Sequence, residues 1–173
     1  RVPFLMDAIM ALCIENIIFS RSSIDLLNQF IIEPHKLEEL KDAKGRLWVN
    51  DTKATNIDAS LQALARYDGF KIHIILGGDD KGVSIEKVVA RAAKQGATIY
   101  AIGSNCDDIE KMGNKFGAKV FNAKELYQAV NLIDKEMNIG DVALLSPACA
   151  SLDQFSSYAH RGDKFKEFIA KII

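Results

Sequence analysis

The residues able to do chemistry collect in a few short stretches. The first, Asn50-Asp51-Thr52-Lys53-Ala54-Thr55-Asn56, puts an amine, a carboxylate and hydroxyls into one turn. It lies between an apolar run, Leu47 to Val49, and a segment with apolar residues at Ile57, Leu61, Leu64 and Ala65. The run reads as the end of a buried strand and the segment as a helix. The turn therefore sits at a strand's carboxyl end, where open α/β sheets bind ligands because unpaired N–H groups and helix N-termini converge there. Lys53 with the hydroxyls of Thr52 and Thr55 is suited to holding an anion. The plainer reading is that Thr55 or Asn56 caps the helix and the rest is solvated.

The second stretch, Gly77-Gly78-Asp79-Asp80-Lys81-Gly82, follows the strand-like run Ile72 to Leu76. Its glycines permit close backbone approach to a ligand, and Lys81 adds a cation; a simple tight turn is the alternative. The spacing is neither a Walker A loop nor a GxGxxG fingerprint. The third is Ser146-Pro147-Ala148-Cys149-Ala150-Ser151-Leu152-Asp153-Gln154-Phe155, after the apolar run Val142 to Leu145. Small residues leave room there, and Ser151 is expected to open a helix whose amides, with its hydroxyl, receive a carboxylate. No histidine is placed beside Cys149, so it reads as a packed small thiol and not a nucleophile. His73 falls within a strand, and His35 and His160 read as surface residues. Asp107 and Asp108 read as acids of a helix N-terminus in preference to metal ligands. Lysines and hydroxyls on a shared edge point to a ligand with two negative ends: a dicarboxylate, or a phosphate plus a carboxylate.

Alternating elements are needed to bring these stretches together, and the pattern supplies them. Strand-like runs at Leu47–Val49, Ile72–Leu76, Thr98–Ile102, Val120–Phe121 and Val142–Leu145 are separated by helix-periodic segments. Gly96 and Gly117 fit left-handed helix ends, and Asn122 with Glu125 resembles a capping box. A final helix from about Gly162 places Phe165, Phe168, Ile169 and Ile172 on one stripe. Alternation of this length implies α/β architecture: a mostly parallel sheet covered on both faces by right-handed crossovers. Ahead of it, Leu37 and Leu40 fit a short edge strand, with Glu38 to Lys44 a solvated hairpin.

At 173 residues with a net charge of -1, the chain has room for one full domain and no basic footprint for nucleic acid or an anionic membrane. Cys13, Cys106 and Cys149 are far apart and form no CxxC pair, which speaks against a disulfide framework or a zinc site and for a reduced, cytoplasmic setting. Phe4 to Phe19 is almost wholly apolar, but Asp7 and Glu15 interrupt it and it falls short of the roughly 20 residues of a membrane span. It is expected to be a buried helix of a neighbouring domain, followed by a second from Ser23 to about Ile31 under a Ser22 or Ser23 cap. Glu33-Pro34 ends that helix. The expected organisation is residues 1–34 as the end of one domain, of which the chain carries only part, and 35–173 as another.

Asn50 to Asn56, Leu76 to Lys81 and Leu145 to Phe155 together resemble the D-glutamate-adding Mur ligases of peptidoglycan synthesis. The resemblance runs from about Leu12 to the end and is most specific in the last loop. It implies an α/β, Rossmann-like three-layer domain that brings the amino acid, preceded by two closing helices of a central ATPase domain. The P-loop, the magnesium ligands and the UDP-sugar site would lie outside this chain. The implied reaction is ATP-driven amide formation: the carboxylate of UDP-N-acetylmuramoyl-L-alanine becomes an acyl phosphate, the D-glutamate amine attacks, and phosphate leaves.

By motif position, the resemblance gives the α-carboxylate of D-glutamate to Thr55 and Lys81 and the side-chain carboxylate to Ser151 and Leu152. Lys53 would face the acyl phosphate and tetrahedral intermediate, Asp51 would bond the ATP ribose, and Asn50 would belong to the same nucleotide site. Lys36 stands where the family usually has arginine, offering ATP a point charge in place of a fork. Tyr158 stands where a phenylalanine usually lines the glutamate pocket. The Asp-Asn-Pro-Arg signature of diaminopimelate-adding relatives is missing. The alternatives are a non-catalytic α/β module for a small dicarboxylate or nucleotide, and a folylpolyglutamate-synthase-like domain, against which Ser146 to Ser151 argues.

Overall fold

The computed structural model describes residues 5–29 and 33–172. The chain divides into two compact units, Arg1–Ile32 and Glu33–Ile173. The first holds α1 (Leu5–Phe19) and α2 (Ile24–Asn28). Within this chain the apolar side chains of α1 such as Met6, Ile17 and Phe19 are exposed. A helix apolar on every face has no side suited to water. Ser23 does precede α2, but its hydroxyl donates to Glu15 at 2.6 Å instead of capping. The expected last turn around Ile31 lies outside the described residues.

The second unit runs β1 (Glu38–Lys41), β2 (Leu47–Asn50), α3 (Ile57–Arg66), β3 (Ile72–Gly77), α4 (Glu86–Lys94), β4 (Thr98–Ile102), α5 (Cys106–Lys115), β5 (Val120–Lys124), α6 (Leu126–Glu136), β6 (Val142–Leu145) and α7 (Tyr158–Ile169). The strands form a six-stranded sheet in the order β1-β2-β6-β3-β4-β5. Only β1 is antiparallel, paired with β2; the other pairings are parallel. Leu144 of β6 lies between Val49 of β2 and Ile74 of β3.

Alternation along the strands sorts their side chains into two cores. Val49, Ile74, Leu76, Ile99 and Leu144 pack on one face with Leu64, Val88, Val89 and Ile109 of the α3, α4 and α5 helices. Trp48, Ile75, Tyr100 and Leu145 pack on the other with Val130, Ile133, Phe165 and Ile169 of α6 and α7. Both faces are covered, so β3 and β6 are buried at every position, and β6 reads as a continuous apolar run.

Local chemistry explains most boundaries. Asn56 caps α3 by accepting from the amide of Ala59 at 2.9 Å. Gly96 and Gly117 take φ of +68° and +70° just past α4 and α5. Other expectations are corrected. Asn122 lies within β5 and does not cap α6; its amide donates to Asp107 and Glu110, and Glu125 occupies the cap position. Ser157 caps α7, so that helix begins at Tyr158 and Gly162 is inside it. Leu37 precedes the edge strand, and the hairpin is not wholly solvated. There Asp42 and Arg46 are buried and joined at 2.7 Å, because Asp42 also accepts from the Trp48 indole at 2.9 Å.

Candidate functional site at the carboxyl rim of the sheet

β2, β6 and β3 are neighbours and parallel, so the chemistry-bearing loops that follow them leave the sheet side by side. The middle loop is stitched to both others through backbone. The Ala148 amide donates to Ala54 O at 3.0 Å, and Asp79 and Ala150 exchange N–H···O bonds of 3.0 and 2.9 Å. Lys53 adjoins Ala54, Ser151 adjoins Ala150, and Lys81 is two residues from Asp79. The loops carrying both lysines and Ser151 thus share one rim.

The close approach of the second and third loops requires Gly78. A Cβ there would lie 2.1 Å from Ala150 O, and its φ of +136° disfavours any other residue. Several non-glycine residues around the rim also hold left-handed backbone: His35, Leu37, Lys81 and Ala148, with φ between +50° and +69°. Such conformations each cost on the order of 1–3 kcal/mol and gather at functional sites.

Lys53 is half-buried and its Nζ pairs with Glu33. That hydrogen bond raises its pKa above the ordinary lysine value. Its backbone amide donates to His35 O at 3.1 Å. Lys81 and Thr55 are exposed, as are Leu152 and the ring of Tyr158, whereas Ser151 is buried. Ser151 does not open a helix. Its carbonyl accepts from the amides of Gln154 and Phe155 at 3.2 and 2.8 Å, closing a turn that ends before α7.

Asp51 lies just beneath the surface, 4% exposed. Burial drives its carboxyl pKa up to about 6, against the pull of hydrogen bonds from Ser146 Oγ at 2.8 Å and the Leu37 amide at 3.1 Å. Lys36 lies within Coulombic reach of it. Asn50 is wholly enclosed: its amide donates to Glu38 at 3.0 Å and lies 3.0 Å from His35 Nδ1. Within this chain Asn50, expected at the nucleotide site, serves as an internal brace. His35, expected at the surface, is likewise buried, with its ring against Gly162, where an added Cβ would meet Nδ1 at 2.4 Å. His160 is exposed, as expected.

Cys149 is buried, and burial pushes its thiol up to about 11, so it is protonated at neutral pH. His73 bonds Tyr100 and Asp141 within the sheet. Asp107 and Asp108 stand in the first turn of α5, and among the described residues no three acidic, histidine or cysteine side chains are grouped to hold a metal. A shallow cleft of about 360 Å³ opens farther along the rim, lined by Gly103, Ser104, Lys124 and Asp153 among others. None of the expected site residues lines it.

Sequence reasoning missed Arg161. It is 1% exposed and spans two loops: Nε donates to Thr52 Oγ1 at 2.8 Å, Nη2 to Thr52 O and Cys149 O at 3.1 Å each, and Nη1 to Ala150 O at 3.3 Å. The signal was its spacing. Arg161 continues the apolar stripe of Phe165 and Ile169 backwards by one turn, placing it on the buried face of α7.

Residues 36–149 match the family model described as Mur ligase, glutamate ligase domain. The UDP-N-acetylmuramoylalanine--D-glutamate ligase of Campylobacter jejuni strain 81-176 is 51% identical over 172 residues, which are 99% of this chain and 43% of that protein. The enzyme of that name from Helicobacter pylori strain 26695 is 44% identical, over 97% of this chain and 42% of its own. The chain thus spans less than half the length of these curated relatives. Among solved structures, UDP-N-acetylmuramate-alanine ligase MurC from Thermotoga maritima aligns over 96% of this chain and 38% of its own, with a TM-score of 0.65 and 13% identity. MurF ligase from Thermotoga maritima, in complex with ADP, aligns over 91% of this chain and 35% of its own, with a TM-score of 0.55 and 16% identity. The expected three-layer fold with a mostly parallel sheet is the one these structures share. On its sequence and on the fold that carries its loops, this chain belongs to the Mur ligase family.

Proposed function

We propose that the chain is the C-terminal portion of an ATP-dependent ligase that adds D-glutamate to UDP-N-acetylmuramoyl-L-alanine in the cytoplasm. Its part is to bind D-glutamate and one side of ATP. The observation that carries this reading is the shared rim. Two lysine-bearing loops flank a buried serine in a chain 51% identical to a relative named for D-glutamate ligation.

In this reading Glu33–Ile173 is the amino-acid-binding domain, and α1 and α2 close a central ATPase domain. The apolar surface of α1 is of the kind a larger core would cover. Binding of ATP and Mg2+ rests mostly on the rest of the enzyme, and the bound nucleotide supplies the phosphoryl group that activates the substrate carboxylate. The chain fits the nucleotide in part: Lys36 offers a cation, while both carboxylate oxygens of Asp51 already accept internal hydrogen bonds. The rim without those other parts would not turn over.

Lys81 and the Thr55 hydroxyl hold the α-carboxylate, and Ser151 and the Leu152 amide hold the side-chain carboxylate, with the Tyr158 ring as a wall. Holding both ends aims the amine and reduces its freedom before attack. Lys53 sets a positive charge where negative charge grows on the reacting carbon's oxygens, which stabilises that state more than the bound reactants. Its partner Glu33 must then release it.

The test is Lys81→Ala in the full-length enzyme. KM for D-glutamate is expected to rise at least about tenfold, since a charge-assisted bond to a carboxylate is lost, while KM for ATP stays within about twofold. An unchanged requirement for D-glutamate would remove Lys81 from the site.

A further inference from the structure

Arg161 is unusual among the buried charges because no carboxylate answers it. Its hydrogen bonds go to three carbonyls and one hydroxyl, and among the described residues no acidic oxygen forms an ion pair with it. The carboxylate that acts on it through space is that of Asp153, itself engaged with the Ser104 amide at 2.8 Å. Burying a guanidinium is costly unless carbonyl dipoles and a nearby anion stabilise it.

Its contacts reach every loop of the rim. Thr52 belongs to the first, Cys149 and Ala150 to the third, and the backbone of Gly78 in the second lies so close that an added Cβ would be 3.3 Å from Nη1. The two carbonyls it holds immediately precede Ser151, so the guanidinium fixes which way the next peptide and its side chain face. Thr52 immediately precedes Lys53. The same α7 turn carries Tyr158, whose carbonyl accepts from Thr52 Oγ1 at 3.1 Å.

We infer that Arg161 is a positioning residue for the dianionic amino acid: it locks the Ser151 loop to the Lys53 loop and so sets where the ligand's carboxylate is received. This rests on the assignment of the D-glutamate side-chain carboxylate to Ser151. It predicts a selective defect. Loss of the clamp should weaken D-glutamate binding while nucleotide binding, which uses other groups, is kept.

The experiment compares Arg161→Met, Arg161→Lys and Ser151→Ala in the full-length enzyme, measuring kcat, both KM values and the thermal midpoint. Arg161→Met is expected to raise KM for D-glutamate at least about tenfold with KM for ATP within about twofold. Arg161→Lys keeps the charge and loses the fork, so an intermediate rise of about threefold is expected. A lowered thermal midpoint with KM for D-glutamate unchanged, or an equal rise in both KM values, would overturn the inference by showing a merely structural arginine. Should Arg161→Met fail to fold, Arg161→Lys decides alone, and no rise in KM for D-glutamate overturns the inference. If Ser151→Ala raises that KM and Arg161→Lys does not, this inference fails and the carboxylate pocket stands. If Ser151→Ala changes nothing, the pocket itself is misplaced and both fall.

Discussion

The two ends of the parallel strands treat buried charge in opposite ways. Where the strands begin, Arg46 is enclosed by Asp42 and Asp134, and Asp42 accepts in addition from Trp48 and from the amides of Lys44 and Arg46. Where they end, Asp51 and Arg161 are each buried without an ion-pair partner among the described residues. Burial tends to raise both carboxyl pKa values. At Asp42 the indole and Arg46 outweigh it and hold the group below the ordinary carboxylate range, whereas at Asp51 burial wins and takes it to about 6. One end closes its charges with opposite charges, and the other holds them with hydroxyls and backbone dipoles alone.

The largest effect should come from breaking the closed end. Asp42→Ala orphans a buried guanidinium and an indole N–H, and a loss of about 4 kcal/mol in unfolding free energy by denaturant titration is expected. Because its folded pKa is lowered, Asp42 contributes stability that is present above the unfolded carboxyl pKa and lost as pH falls through the folded value. The defect should therefore shrink in acid, and one that grew there would contradict the ion-pair account.

Asp51 carries the opposite sign. Its raised pKa means that the fold favours the neutral carboxyl, so stability is full below about pH 4 and declines as pH rises through about 6, by about 3 kcal/mol in total. Asp51→Asn removes that dependence. Its stability relative to the parent should improve between pH 4 and pH 7.5, and parallel pH profiles would show that Asp51 is already compensated. The smallest effect in free energy falls on Lys53→Ala, expected to leave the thermal midpoint of this chain unchanged because its pair with Glu33 is exposed at the surface. In the full-length enzyme it should lower kcat at least about tenfold, about 1.4 kcal/mol. Equal loss of stability would place Lys53 with the closed charges.

Much of the fold was legible because it depends on pattern. Thr98–Ile102 and Val142–Leu145 could be delimited from their mostly apolar runs, since strands buried on both faces carry few polar positions. What escaped depended on partners distant in sequence. Asn122 looks like a cap until the strand pairing of Ala101 with it is known. Asp42 and His35 sit in polar stretches and look solvated until Asp134-side and α7-side neighbours enclose them. At the site, residue types and the shared edge were readable, but the burial of Asn50 and the clamp by Arg161 were not. Arg161 meets Thr52 across more than a hundred positions, and no local pattern reports such a contact.

The place of β6 has a consequence for how the chain must assemble. Among the described strands it comes last in sequence, and it lies between β2 and β3, which have no other partner on those sides. Until residues 142–145 are in place, the sheet is two ribbons with open inner edges, the kind of surface that invites pairing with foreign strands. Closure of that gap is a long-range and correspondingly slow event. The same event sets the central loop between its neighbours, so the three loops of the rim come together only when that gap closes.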